Sequence, residues 1–495
     1  MIFSRYLHLT FLILLLSCGI AIAQRSPDER AAGERTIFDL LPPDSTTQHV
    51  WDSATGPLAY TATAGTIDLF DSEGELSAKM YYTAYRAEDA TGARPITFAF
   101  NGGPGAASAY LHMGLAGPQI AELGKEGGYG ATPDLRENPD SWLAFTDLVF
   151  IDPVGTGWSR AVSDEATREF YGVEQDAGSL ARAISIFVQQ NGLLSAPKFL
   201  LGESYGGFRA AKVATELRER HGIVLSGIVM VSPFLEGRYL SSSSHDPLSA
   251  ALQLPSLAAA EMERQGTFSE TALAEAEAFA MKDYLVALVD PAPPGAVANS
   301  FHERVSDLTG IPAADVARAR GYVGALYASR SAEDGDAVSR YDAAHAFPNP
   351  YPASGYPWAA DPVLDGYTRA YGAAFASYAR RTLGFDGNMT YELLNDSVSR
   401  RWDWDGARSR ASSSSDLVDM LTVSPGFRML ILHGYSDAVT PYRVSEYLID
   451  QLPRDLTGER VILRNYRGGH MFYIDPASRR AAAADAERFF RDFGS

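Results

Sequence analysis

Six short apolar runs recur along this chain, and each stops at a glycine, proline, serine, acidic residue or turn. They are Ile96–Phe100, Leu148–Asp152, Lys198–Gly202, Gly227–Ser232, Met429–Gly434 and Val461–Tyr466. Such runs have the length of a strand covered on both sides and are too short for an amphipathic helix. Helix-like sequence lies between most of them, Val173–Gln190 and Phe208–Glu219 being clear cases. Strands alternating with helices predict an α/β fold with a mostly parallel central sheet and helices on both faces. Ahead of the runs, Leu58–Phe70 and Ser77–Ala87 alternate apolar and polar residues about a turn-like segment and predict an antiparallel hairpin.

The alternation breaks between 236 and 422, where no buried strand is evident and stretches such as Ala258–Lys282 are alanine-rich. A helical insertion, or lid, is expected there, dividing the sheet domain into 24–235 and 423–495. The proline- and aromatic-rich 347–362 should be irregular. With 495 residues, 46% of them hydrophobic, the chain can bury a core larger than one simple domain needs.

Residues 1–23 carry Arg5, an apolar stretch Leu9–Leu16 and the small-residue end Ala21-Ile22-Ala23 before Gln24, the pattern of a secretory signal peptide. An exported protein, periplasmic or extracellular, is expected. Cys18, the one cysteine, follows Leu15-Leu16-Ser17 in a pattern like a lipoprotein processing site, so a membrane tether through a lipid on Cys18 is the alternative. A single cysteine excludes an intrachain disulfide. The formal charge of −19, from 61 acidic and 42 basic residues, argues against nucleic acid as a partner.

Gly202-Glu203-Ser204-Tyr205-Gly206 fits Gly-x-Ser-x-Gly, with a strand-like run before it and a helix-like run after. That context is the elbow that exposes a nucleophilic serine at the carboxyl edge of a sheet. A serine hydroxyl needs a base, and the base needs a carboxylate to orient it. Asp437 and His470 follow the last two strand-like runs, giving the order Ser204, Asp437, His470 that α/β-hydrolases use. Taken singly, Asp437 could be a turn residue and His470 a surface histidine; their shared placement past strand ends argues for catalysis. His433, within its strand, reads as a structural neighbour. After Ile96–Phe100 comes Asn-Gly-Gly-Pro-Gly, 101–105, whose bare backbone could approach a carbonyl; Gly103 and Tyr205 N–H groups are the candidate oxyanion donors.

Together, the 101–105 segment, the block Asn138–Ser159, Gly-Glu-Ser-Tyr-Gly-Gly, Asp437 followed by Ala-Val-Thr-Pro, and the late Gly-His resemble the serine carboxypeptidase family, peptidase family S10, in particular its bacterial branch. The resemblance implies the α/β-hydrolase fold, peptide substrates with a free C-terminus, and no metal or cofactor. It also implies that Asn101, Gly102 and Glu203 hold the terminal carboxylate of the substrate, with Glu203 sharing a proton there. A second glutamate of the family, just before a Leu-Gly-Pro, is replaced by Leu115. Ala99 and Ala106 replace a tryptophan and a cysteine of the family. His112 could supply a charge in that region or be a core histidine. The departures leave open an esterase or acyltransferase using the same triad; a non-catalytic binding protein is the third reading.

Overall fold

The computed structural model describes residues 36–53, 56–88, 94–123, 134–240, 246–330, 336–349 and 361–492. The signal segment with Cys18, and most of 347–362, lie outside the described residues.

The central sheet is built from β1 (Ser45–Ser53), β2 (Gly56–Phe70), β3 (Leu76–Ala87), β4 (Ile96–Phe100), β5 (Asp147–Ile151), β6 (Lys198–Glu203), β7 (Gly227–Val231), β8 (Arg428–Gly434) and β9 (Val461–Tyr466). They lie in the order β1-β2-β3-β5-β4-β6-β7-β8-β9, and a two-residue strand, Arg160–Ala161, adds to β3. Pairing is antiparallel from β1 through β3 to β5 and parallel from β5 to β9. Every residue of β4, β5, β6 and β7 is buried. These strands read as continuous apolar runs because both faces are covered. The period of two survives in the packing: Ala99, Phe199, Leu201, Val229 and Leu430 join one core, and Phe98, Phe100, Leu200, Ile228 and Met429 join the other.

Helices α1 (Val173–Gln190) and α2 (Tyr205–His221) cover the second face. Strand β1 was not expected from the sequence; it is an edge strand in which only Trp51 is buried, so its apolar signal is weak.

The stretch 236–422 leaves the sheet between β7 and β8 and divides in two. Its first part contains α3 (Pro247–Gln265) and has a core of its own, with Leu254, Leu257, Tyr284, Val305 and Tyr327. Its second part contains α4 (Pro362–Arg381), whose Tyr371, Phe375 and Tyr378 pack into the core on the sheet. The alanine-rich segment is not one helix. Gly266, at φ +68°, ends α3, and Ser269 starts the next helix, Glu270–Phe279, by accepting a hydrogen bond from Ala272 N. The chain ends in α5 (Pro476–Arg491), whose Phe489 and Phe490 close the first face.

Sequence neighbours β4 and β5 pair, yet β4 also pairs with β6, so the connections leaving β4 and β6 diverge. A crevice at the carboxyl ends of two such strands is where open α/β sheets place their sites.

Candidate active site

Both strands at this switch deliver a site segment: β4 runs into Asn101–Gly105 and β6 into Ser204. Ser204 sits at φ 59°, ψ −124°, a conformation costly for a residue with a side chain. Its backbone is pinned on both sides, by Ser204 N to Val231 O at 2.9 Å and by Gly207 N and Phe234 N to Ser204 O, each at 2.9 Å. The flanking glycines are sterically required. A Cβ at Gly202 would lie 2.0 Å from Gly206 O, and one at Gly206 would lie 2.6 Å from Phe100 O. At Gly102 a Cβ would meet Tyr205 N at 2.5 Å, so the β4 loop lies directly against the first amide of α2, beside the candidate donor Gly103.

The loops after β8 and β9 bring Asp437 and His470 together, with His470 Nδ1 and Asp437 Oδ2 at 2.8 Å and both residues buried. Asp437 also accepts from Val439 N at 2.8 Å and Thr440 N at 2.9 Å on Oδ1, and from the Thr440 hydroxyl at 2.7 Å on Oδ2. These donors fix the carboxylate in place against the His470 ring. Ser232, one residue past the contact that holds Ser204, donates its hydroxyl to His470 O at 2.8 Å. The end of β7 therefore ties the serine elbow to the histidine loop. Burial disfavours a charged His470, but the Asp437 charge and hydrogen bond, with help from Glu203, raise its pKa overall.

Asn101 and Glu203 also meet. Asn101 Nδ2 donates to Glu203 Oε2 at 2.6 Å, and Leu111 N holds Asn101 Oδ1 at 3.1 Å. Burial pushes Glu203 up to about 7, against the opposing pull of His470 and of hydrogen bonds from Tyr473 and Asn101. Tyr473 donates to both Glu203 oxygens, at 2.9 and 3.1 Å.

Two histidines stand apart from this chemistry. His112 is buried, stacked on Phe150 at 4.1 Å and hydrogen-bonded through Nε2 to the Tyr85 hydroxyl at 2.7 Å. Burial lowers its pKa to about 3, so it is a neutral core histidine and offers no charge to a substrate. His433 is buried in β8, its Nε2 2.8 Å from Ser445 Oγ, and burial lowers it to about 4.

Thr440, Ser232, Tyr341 and Tyr473 were not singled out from the sequence. Tyr341 belongs to the insertion, yet its carbonyl accepts from His470 N at 2.5 Å and its ring meets the His470 ring edge-on at 5.4 Å. Ala343 N to Ser436 O (3.0 Å) and Ala438 N to Arg340 O (3.2 Å) fasten the same strap to the Asp437 loop. A Cβ at Gly469 would lie 2.1 Å from Tyr341 O, so the glycine before His470 admits the strap. Thr440 and Gly469 lie within quoted motifs; no signal connects Tyr341 to the site before folding. Among the described residues, no group of three or more His, Cys, Asp or Glu side chains is arranged to hold a metal ion.

A strand-serine-helix elbow at the switch of a mostly parallel sheet, with an aspartate and a histidine delivered by the next strand loops, defines an α/β-hydrolase. The serine carboxypeptidase family model matches residues 55–279. Serine carboxypeptidase-like 44 of Arabidopsis thaliana is 30% identical over 189 residues, which are 36% of this chain and 37% of that protein. Pheromone-processing carboxypeptidase kex1 of Sclerotinia sclerotiorum is 31% identical over 123 residues, 24% of this chain and 18% of that protein. The matched part thus spans 37% or less of the length of these two relatives. In fold, the chain is similar to the crystal structure of Kex1(delta)p, a prohormone-processing carboxypeptidase from Saccharomyces cerevisiae, with a TM-score of 0.55, 16% identity and coverage of 87% of this chain and 91% of that one. Over residues 55–279 the chain is similar to the serine carboxypeptidase family.

Proposed function

We propose that this protein is an exported serine carboxypeptidase that removes C-terminal residues from peptides through an acyl-enzyme on Ser204. The Asn101–Glu203 pair carries the reading. A buried carboxyl and an amide donor beside the nucleophile add nothing to acyl transfer itself, but suit a peptide's terminal carboxylate. In this mechanism Ser204 Oγ attacks the last peptide carbonyl while His470 Nε2 takes its proton. Asp437 accepts the Nδ1 hydrogen bond and stabilises the imidazolium. Gly103 and Tyr205 amides receive the oxyanion, His470 returns the proton to the departing amine, and water then releases the acyl group by the same steps in reverse. The partial matches to carboxypeptidases of the family support the assignment.

The test compares release of free amino acids from N-blocked dipeptides with hydrolysis of their C-terminal amides and of simple esters. A marked preference for the free acid is expected; equal turnover of acid and amide would overturn the reading. Leu115, standing where the family carries its second glutamate, favours an esterase or acyltransferase as the second reading, and preferential ester turnover would select it. Export rests on residues 1–23. Mass spectrometry of the mature N-terminus should find Gln24, and a lipid on Cys18 would instead mean a membrane tether.

A further inference from the structure

The loop after β9 does more than deliver His470. Three residues on, Tyr473 lies in a short turn, Phe472–Ile474, fully buried, with its hydroxyl on both oxygens of Glu203. Its ring fits because residue 114 is glycine: a Cβ there would lie 2.6 Å from Tyr473 Cε2 and 2.9 Å from the Tyr371 hydroxyl. The next residue is Leu115, the position at which the resemblance calls for a second acid.

We propose that Tyr473 is the positioning residue for carboxylate recognition, its phenol taking the place of the missing second carboxyl and orienting Glu203 toward the terminal carboxylate of a peptide. This rests on the carboxypeptidase reading. Phenol and glutamate share one proton-exchanging group where two glutamates would share two. Tyr473 therefore orients without titrating in the working range, since burial and the neighbouring Glu203 hold its pKa well above the ordinary tyrosine value. The groups that bear on Glu203 are His470 and Asp437 from the β8 and β9 loops, Asn101 from the β4 loop, Tyr110, Tyr371 on α4, and Tyr473 itself. Burial pushes Glu203 itself up to about 7. Because the phenol donates to Glu203, it favours the carboxylate form; removing it must raise the Glu203 pKa further.

The test uses the full chain and Tyr473→Phe, with N-blocked dipeptides and their C-terminal amides as probes, and reads the ratio of KM for acid to KM for amide against pH. Taking the ratio cancels the titration of His470. In the parent protein this ratio should rise by one power of ten per pH unit above the Glu203 midpoint, the signature of a single proton. In Tyr473→Phe the rise should move to higher pH. At acid pH, where Glu203 is neutral, KM for the free acid should increase about fivefold more than KM for the amide, the size expected for one hydrogen bond between neutral groups. A two-proton slope in the parent would overturn the proposal without any variant, as would an unmoved midpoint in Tyr473→Phe or an equal loss on acid and amide. A parent with no preference for free acids fails the carboxypeptidase reading instead, which is a separable result.

Discussion

In the proposed mechanism Ser204, Asp437 and His470 work as one unit. Alanine at Ser204 or His470 should lower kcat by a factor on the order of 10⁴ to 10⁶, and the double variant should be little worse than either single one. Steady-state kinetics against an N-blocked dipeptide measure this. His433→Ala should spare most of the activity, because His433 faces Ser445 from inside β8; loss of activity there together with retention in His470→Ala would reverse the assignment. The pH profile follows from two opposed requirements. As base, His470 must be neutral, and its raised pKa puts the acid limb of kcat/KM above the ordinary imidazole value. On the proposed recognition of a terminal carboxylate, Glu203 would have to carry a proton to donate, and it loses that proton as pH climbs through about 7. A narrow bell with its maximum near neutrality is therefore expected on free-acid peptides. Glutamine at 203 keeps a donor and cannot titrate, so the basic limb should flatten for free acids while C-terminal amides respond little. A basic limb unchanged in Glu203→Gln would remove Glu203 from recognition.

At the scale of elements, one buried ion pair locks the two helices and the β4 loop together. Arg209 on α2 makes a paired contact with Asp176 on α1, at 2.6 and 3.2 Å, and donates also to Asn101 O. Both side chains are almost wholly buried. Arg209→Met should destabilise the fold by about 3–5 kcal/mol, because Asp176 is left as an unpaired buried charge. The double change Arg209→Met, Asp176→Leu should recover part of that loss in denaturant melts. It should not recover tight binding of free-acid peptides, since the Asn101 carbonyl would still lack its clamp. Recovery of both would mean that Arg209 serves packing alone. A lone arginine at the start of a helix-like run carries no sequence signature of this role. Asp176 lies 33 residues away and Asn101 lies 108 residues away, and only the packing of α1 and α2 on one sheet face brings the three together.

Across the whole molecule the insertion is two things at once. Its first part is a separate apolar cluster, and its strap at 339–343 is hydrogen-bonded into both catalytic loops. Native-state hydrogen exchange should show the helices around Tyr284 opening as a unit at lower free energy than β6 to β8. Tyr284 is fully buried and donates to Gly321 O at 2.7 Å. Tyr284→Ala should cost that unit about 3–5 kcal/mol. It should lower protection in 247–327 while leaving the sheet amides unchanged. Uniform loss across sheet and insertion would show one cooperative body instead.

The parallel sheet and the strand-serine-helix elbow were legible in the residues alone, as was the meeting of Asp437 and His470 past the last two strands. Each of these is written in local physics: strand-length apolar runs, glycines where a Cβ would strike backbone, and polar residues just past strand ends. Asn101 and Glu203 were legible too, because both sit in those same short motifs. The remainder lies in contacts between distant segments of bland composition. His112 became a core histidine because Phe150 and Tyr85 enclose it. The second half of the insertion joined the sheet's core, although its helix-forming composition is like that of the first half. Tyr473 reached Glu203, 270 residues earlier, because Gly114 left room for its ring. Periodicity and turn chemistry are read within a few residues, whereas such partnerships depend on which faces meet after the sheet has closed.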